Sequence, residues 1–197
     1  MVYKALIEKL VTKDEEFSIG ISEIENTNQL NIEHLLEVAK ALSKSVSAFQ
    51  FFNSSMIIDE FHLLSSAQNA VHAMQGDYMI SRALDVELVV YSSAQRQIGV
   101  ALDIMGLKNN LSTLGVVCID KDESKVHACL GEVSSRVGKM VSPMFVPTPK
   151  KVNSLMDIFG VSEEELNQFI EENDLESRAQ ALSKCIVSRV SMVALGS

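Results

Sequence analysis

Apolar and polar positions change period several times along the 197-residue chain, and each change predicts an element. Short apolar runs with β-branched content at residues 2–7 and 17–24 (VYKALI, FSIGISEI) predict strands. The spacing then turns helical. Ile32, Leu35, Leu36, Ala39 and Leu42 share one helical face, and Asn31 before them is a suitable cap. Residues 48–52 and 55–58 predict a strand or a hairpin. A helix from Asp59 to about Gln75 follows, with Leu64, Ala67, Val71 and Met74 in register and Gly76 as its terminator. Residues 81–92 fit either type of element, and Leu84, Leu88 and Tyr91 favour a helix.

The next helix is predicted over 95–105, with Ile98, Ala101, Leu102 and Met105 inward. Ser92 and Gln95 have the spacing of a capping box at its start. A buried strand at 114–119 and a helix over about 124–140 come next. All three prolines fall between Pro143 and Pro149, which predicts an extended connector, because proline lacks an amide donor and restricts its predecessor. Three helices are predicted after it. Gly160 ends the first, Ser162 with Glu165 caps the second, and Ala179, Leu182, Ile186, Val190 and Val193 line the third. The pattern implies a single domain of α/β (α+β) class: a small mixed β-sheet packed with several helices, with an α/β body over 1–142 and a helical C-terminal cover over 150–197.

Composition supports a packed core, with 47% hydrophobic and 22% charged residues. The net charge of −9 argues against a strong stand-alone nucleic-acid binder, since phosphate contacts need Lys and Arg. Cys118, Cys129 and Cys185 are odd in number and widely spaced, so free thiols in a reducing compartment are expected. The N-terminal residues lack a signal-peptide run, and no stretch reaches the roughly 18 apolar residues of a membrane span. A cytoplasmic location, or also a nuclear one in a eukaryote, is the expectation.

Catalytic signatures are absent: there is no Gly-x-Ser-x-Gly, no phosphate-loop motif, no Gly-x-Gly-x-x-Gly, no Cys-x-x-Cys and no His-Glu-x-x-His. No metal, cofactor or catalytic residue is therefore expected. His34 and Glu37 sit three apart and could offer two ligands, although a solvated helix face explains them as well. His62 and His72 lie about three helical turns apart and could share a face. Cys118, in an apolar strand, reads as a small core residue.

Charge is distributed unevenly. From Ser124 to Lys151 stand Lys125, Arg136, Lys139, Lys150 and Lys151 against Glu132 alone, a balance of +4. From Asp157 to Glu176 there are eight acids and no base. Either the basic stretch meets RNA phosphates or an acidic partner, or the two stretches neutralise each other as neighbours. Arg96, expected in the first turn of a helix, opposes the helix dipole there, which suggests another task such as a carboxylate or phosphate contact. Arg82 stands in a similar setting before Leu84-Asp85-Val86-Glu87.

The ordered features from Phe61 to Lys108 resemble the PRPK-binding family, the small kinase-binding subunit of the KEOPS (EKC) complex. They are an Ala-rich helix (His62, Leu63, Ala67, Ala70), Ser81-Arg82-x-Leu84, and Glu87 before apolar residues. The pair Ser92-Ser93 follows, then Arg96-Gln97-Ile98, Ala101-Leu102 and Gly106-Leu107. A fainter match continues through 114–119, Phe159-Gly160-Val161 and the last helix. The family often has a glycine just before the Arg-Gln-Ile unit. Ala94 and Gln95 occupy that turn here, so a different turn around Arg96 is expected.

The resemblance implies a non-catalytic regulatory subunit that binds a small atypical kinase/ATPase and tRNA. The complex makes N6-threonylcarbamoyl-adenosine in tRNAs that read codons beginning with A, and family members bind the tRNA 3′ CCA end. Under that reading Leu63, Leu88, Tyr91 and Ile98 are the candidate kinase contacts, each with a core role as its alternative. Arg82, Arg96, Lys139, Lys150 and Lys151 are the candidate RNA contacts. Two rivals remain: a small enzyme whose site is assembled from His62, His72 and Cys118, and an acidic adaptor without an RNA role.

Overall fold

The structure is a computed structural model that describes residues 5–12, 15–172 and 174–196. Among them are four strands, β1 (Leu6–Leu10), β2 (Phe17–Glu25), β3 (Ala48–Asn53) and β4 (Thr113–Asp120). Eight α-helices accompany them: α1 (Ile32–Leu42), α2 (Glu60–Gln75), α3 (Leu84–Ser93), α4 (Ile98–Met105), α5 (Glu123–Arg136), α6 (Pro149–Phe159), α7 (Glu163–Leu166) and α8 (Leu175–Met192). A mixed α+β fold with a helical C-terminal cover is therefore observed, as the periodicities predict. The sheet order is β1-β2-β4-β3, and every pairing is antiparallel. The sheet is not mixed, because β4 inserts between β2 and β3 and runs against both.

Side chains alternate across this sheet and seed two cores. Ile19, Ile21, Val117 and Ile119 face the larger core, which α2, α3, α4, α6, α7 and α8 cover. Ile24, Leu114, Val116 and Cys118 face the smaller one, closed by α1 and α5. Several boundaries follow the local signals closely. Asn31 accepts the amide of His34 at 2.9 Å and starts α1 at Ile32. Asp59 does the same for His62 at the start of α2. Gly160, at φ +62°, ends α6 in the left-handed region. The Ser162 side chain caps α7, accepting the amide of Glu165, whose own carboxylate turns to Arg189 instead of closing a box.

Other expectations are corrected. The first strand covers Leu6–Leu10 instead of 2–7, and residues 2–4 lie outside the described residues. After β3 comes a 3-10 turn, Ser54–Met56, so no hairpin forms. Ser92 is buried inside α3, and its hydroxyl donates to Leu88. It caps nothing, and α4 begins only at Ile98. Leu36 and Leu102, placed inward by periodicity, are 55% and 42% exposed. The helix α5 stops at Arg136 because Gly138 packs against β2. A Cβ on Gly138 would lie 2.1 Å from the Glu25 carbonyl oxygen.

Candidate functional site

The helix α3 and its two flanking loops gather most of the singled-out residues. Apart from Asp85 and Glu87 in its first turn, α3 is apolar or small on every face, and Leu84 and Leu88–Ser93 are all buried. Its one interior charge is Glu87, fully buried, which accepts the amides of Ile80 (3.0 Å) and Ser81 (2.7 Å). These two bonds hold the incoming loop against the first turn, where the helix dipole favours an anion. The loop presents Arg82 to solvent, where it makes no ion pair with any described residue.

At the other end of α3, Ala94 itself adopts the left-handed conformation (φ 54°, ψ 28°), and its amide bonds to the carbonyls of Tyr91 and Val90. The turn thus keeps the shape that glycine favours, against the expectation of a different one. Arg96 then leaves the chain before α4 begins. Its guanidinium donates to the Val193 carbonyl at 2.6 Å, at the end of α8, and the residue remains exposed. Its position outside α4 removes the expected conflict with the helix dipole. Arg82 and Arg96 are separated by the length of α3, about 15 Å at 1.5 Å per residue.

The candidate kinase contacts Leu63, Leu88 and Tyr91 belong to the core: their exposures are 0%, 0% and 1%. Side chains already packed on α2 and α8 have no area left for a partner, so the core role prevails for these three. Burial also raises the Tyr91 phenol to about 12. Ile98 is half-buried at the start of α4. Apolar side chains that reach solvent include Phe61, Tyr78, Val100, Leu102, Met192 and Leu195; Val11, Leu36, Val146 and Phe169 do so elsewhere on the surface. Sequence reasoning named none of these as a partner contact. The available signal was that α4 (IGVALDIM) is apolar almost all round, more than one core-facing stripe requires.

The candidate RNA contacts divide. Lys139 and Lys150 are exposed, and neither forms an ion pair with a described residue. Lys151, one residue on, turns inward. Its ammonium donates to the Phe145 carbonyl (2.9 Å) and lies near Glu23 and Asp59. Loss of hydration lowers its pKa to about 8 despite those two acids. Glu23 is also buried, and accepts the Ser54 hydroxyl and the amide of Phe145. Burial likewise raises the Asp59 carboxyl above its ordinary range. Lys151 is thus committed to tying the proline-containing connector to β2 and α2, and is corrected from RNA contact to interior anchor.

The basic and acidic stretches do not neutralise each other among the described residues. The acids pair with α8: Glu165 with Arg189 (2.7 Å), Glu163 with Arg178 (2.9 Å) and Glu171 with Lys184 (3.6 Å). Lys125 and Arg136 find Asp120 and Glu132.

The residues proposed for an enzyme site do not converge. His62 lies within the larger core and Cys118 within the smaller, on opposite faces of the sheet, while His72 is exposed and bonds to the Val11 carbonyl at 2.7 Å. His62 and His72 therefore do not share a face. Cys118 sits against Cys129, and this contact together with burial pushes its thiol well above the usual range, away from thiolate chemistry. Among the described residues no group of three His, Cys, Asp or Glu could hold a metal ion, and no helix is long and apolar enough to cross a membrane.

The description "Kinase binding protein CGI-121" belongs to the family model that matches residues 21–194, which takes in β2 to α8 and both loops around α3. On this match the chain belongs to the CGI-121 family of kinase-binding proteins.

Proposed function

We propose that this chain is a non-catalytic KEOPS-type subunit that binds the small atypical kinase/ATPase of that complex and presents tRNA for N6-threonylcarbamoyl-adenosine formation. The observation that carries the reading is α4, an apolar helix within the span of the family match, whose Val100 and Leu102 are 38% and 42% exposed. Exposed apolar residues on an interaction protein mark the area a partner removes from water. Met192 and Leu195, at the end of α8, form a further exposed apolar area beside the Arg96 turn. The kinase docks on the α4 face. Arg82, held outward by Glu87, and Arg96 supply phosphate contacts for the tRNA 3′ CCA end, with Lys150 as an additional cation. Catalysis resides in the partners. The reading also places the protein in the cytoplasm, or in the nucleus of a eukaryote.

Co-purification with the kinase tests the first half. Leu102→Glu is expected to abolish capture while leaving the melting temperature within a few degrees, because the side chain is already solvated. Gel shifts with tRNA, with and without CCA, test the second half. Arg82→Ala and Arg96→Ala are expected to weaken binding and reduce its salt dependence. Retained kinase capture by Leu102→Glu, or a shift indifferent to salt and to CCA, would refute the corresponding half.

A further inference from the structure

On the α1/α5 side of the sheet, away from the α3 loops, lies a cleft of about 610 Å³. Its walls are the β2–α1 connection and the loop before β4, and its size is that of a small-molecule site. The walls are fixed to one another. The Asn26 side chain donates to the carbonyls of Leu30 (2.9 Å) and Leu111 (3.3 Å) and accepts the Leu30 amide (2.9 Å), while the Asn26 backbone amide bonds to Ser112 (2.8 Å). Behind the lining, Gly138 packs closely on Glu25 and Thr27. Two lining residues, Gln29 and Asn110, hold positive φ (51° and 61°), a cost that persists where the surroundings over-determine the backbone.

The lining is unusual in kind. Gln29, Asn109 and Asn110 present side-chain amides, and Thr27 and Ser112 present hydroxyls. Among the described residues Glu25 is the one charged residue of the lining. Primary amides pair a donor with an acceptor, the pattern that reads the edge of a nucleobase. Two exposed lysines border the lining: Lys108 directly precedes Asn109, and the backbone carbonyl of Lys139 accepts the amide of the lining residue Glu25 at 2.8 Å. Neither ammonium pairs with an acid among the described residues. Neutral amides within and cations at the rim fit a heterocyclic base with a phosphate attached, whereas a plain sugar would have no use for the lysines.

We infer that this cleft binds a nucleotide, with its base among the Gln29, Asn109 and Asn110 amides and its phosphate at Lys108 and Lys139. The nucleotide is either free or part of a single-stranded RNA, since both share this chemistry. The inference stands apart from the proposed kinase and tRNA 3′ end contacts, which lie across the sheet.

The test is an amide NMR titration of the full chain with AMP, adenosine, maltose and a single-stranded RNA trinucleotide. AMP is expected to move the amides of Thr27, Gln29, Asn109 and Asn110 saturably and to bind about tenfold more tightly than adenosine, the effect of one phosphate contact. Asn109→Ala, on an exposed loop, is expected to weaken AMP about tenfold without changing the melting temperature. A Lys108→Ala, Lys139→Ala double variant should erase the preference for AMP over adenosine. Tighter binding of the trinucleotide at the same amides identifies RNA as the source, and tighter AMP binding identifies a free nucleotide. The inference is overturned if these amides do not respond to AMP. It is equally overturned if maltose or adenosine binds as well as AMP, or if Asn109→Ala binds undiminished.

Discussion

His62 should make this fold sensitive to mild acid, by an amount that the structure allows to be worked out. The ring lies wholly in the larger core, edge-on to Phe159 at 5.5 Å between centroids. Its Nε2 is 2.8 Å from the Ser92 carbonyl, which can only accept, so Nε2 carries the proton and Nδ1 is left with a lone pair. Nδ1 is buried without a partner. Charging the ring would place a second N–H where nothing accepts it, with the Lys151 ammonium nearby as a further penalty. The Asp59 carboxylate close by bonds to the amides of Phe61 and His62. Burial, the largest cause, lowers the pKa from 6.5 to about 4.

The sign follows from proton counting. Between pH 6.5 and about 4 the unfolded chain binds a proton that the folded chain refuses, so stability is complete above 6.5 and falls as pH drops. From pH 7 to pH 5 the loss is about 2 kcal/mol, from 1.36 kcal/mol per pH unit. Urea unfolding followed by circular dichroism, at pH 7 and pH 5, measures it. His62→Gln keeps an N–H for the Ser92 carbonyl but cannot titrate, so its loss over the same interval should be smaller by about 2 kcal/mol, whatever its absolute stability. The remaining carboxylates and histidines cancel in the comparison. Equal pH dependence of the two proteins, or an NMR titration of His62 with a midpoint near 6.5, would refute the reasoning.

Three other outcomes are expected. At Ala94 the left-handed backbone costs a non-glycine residue about 1–2 kcal/mol, so Ala94→Gly should melt as high as the parent or higher and Ala94→Val lower; a valine variant as stable as alanine contradicts this. Lys151 has a folded pKa of about 8, below its unfolded 10.5, so the parent should gain stability as pH rises from 8 to 10.5. Lys151→Met should lack this gain, which is less than about 3 kcal/mol given the partial exposure of the amine, and urea unfolding at both pH values decides it. Glu87→Gln has one oxygen for two amides, so about 1–3 kcal/mol should be lost, and hydrogen exchange should speed up at Ile80 or Ser81; unchanged exchange at both would exclude the anchoring role.

What could be read along the chain was local. Asn31, Asp59, Gly160 and Ser162 act within a turn of their own positions, so caps and stops were legible. The inward face of α8 was legible too, since 3.6-residue periodicity survives any packing arrangement: Ala179, Leu182, Ile186 and Val190 are all buried, as is Val193 just beyond the helix end. The ordered pattern around α3 was enough to indicate the family.

Periodicity does not say what an apolar face meets. Leu63, Leu88 and Tyr91 meet the protein's own core, and Leu102 meets solvent, because α8 folds back over α2 and α3 from a hundred residues away. Lys150 and Lys151 are identical letters side by side, yet a rotation of about 100° per helical residue leaves one solvated and turns the other towards Glu23 and Asp59. The amide-lined cleft needs residues 25–31 beside 109–113, a contact set by the β2–β4 register. Burial, charge environment and concavity depend on which distant segments share a volume, so only the tertiary structure could decide them.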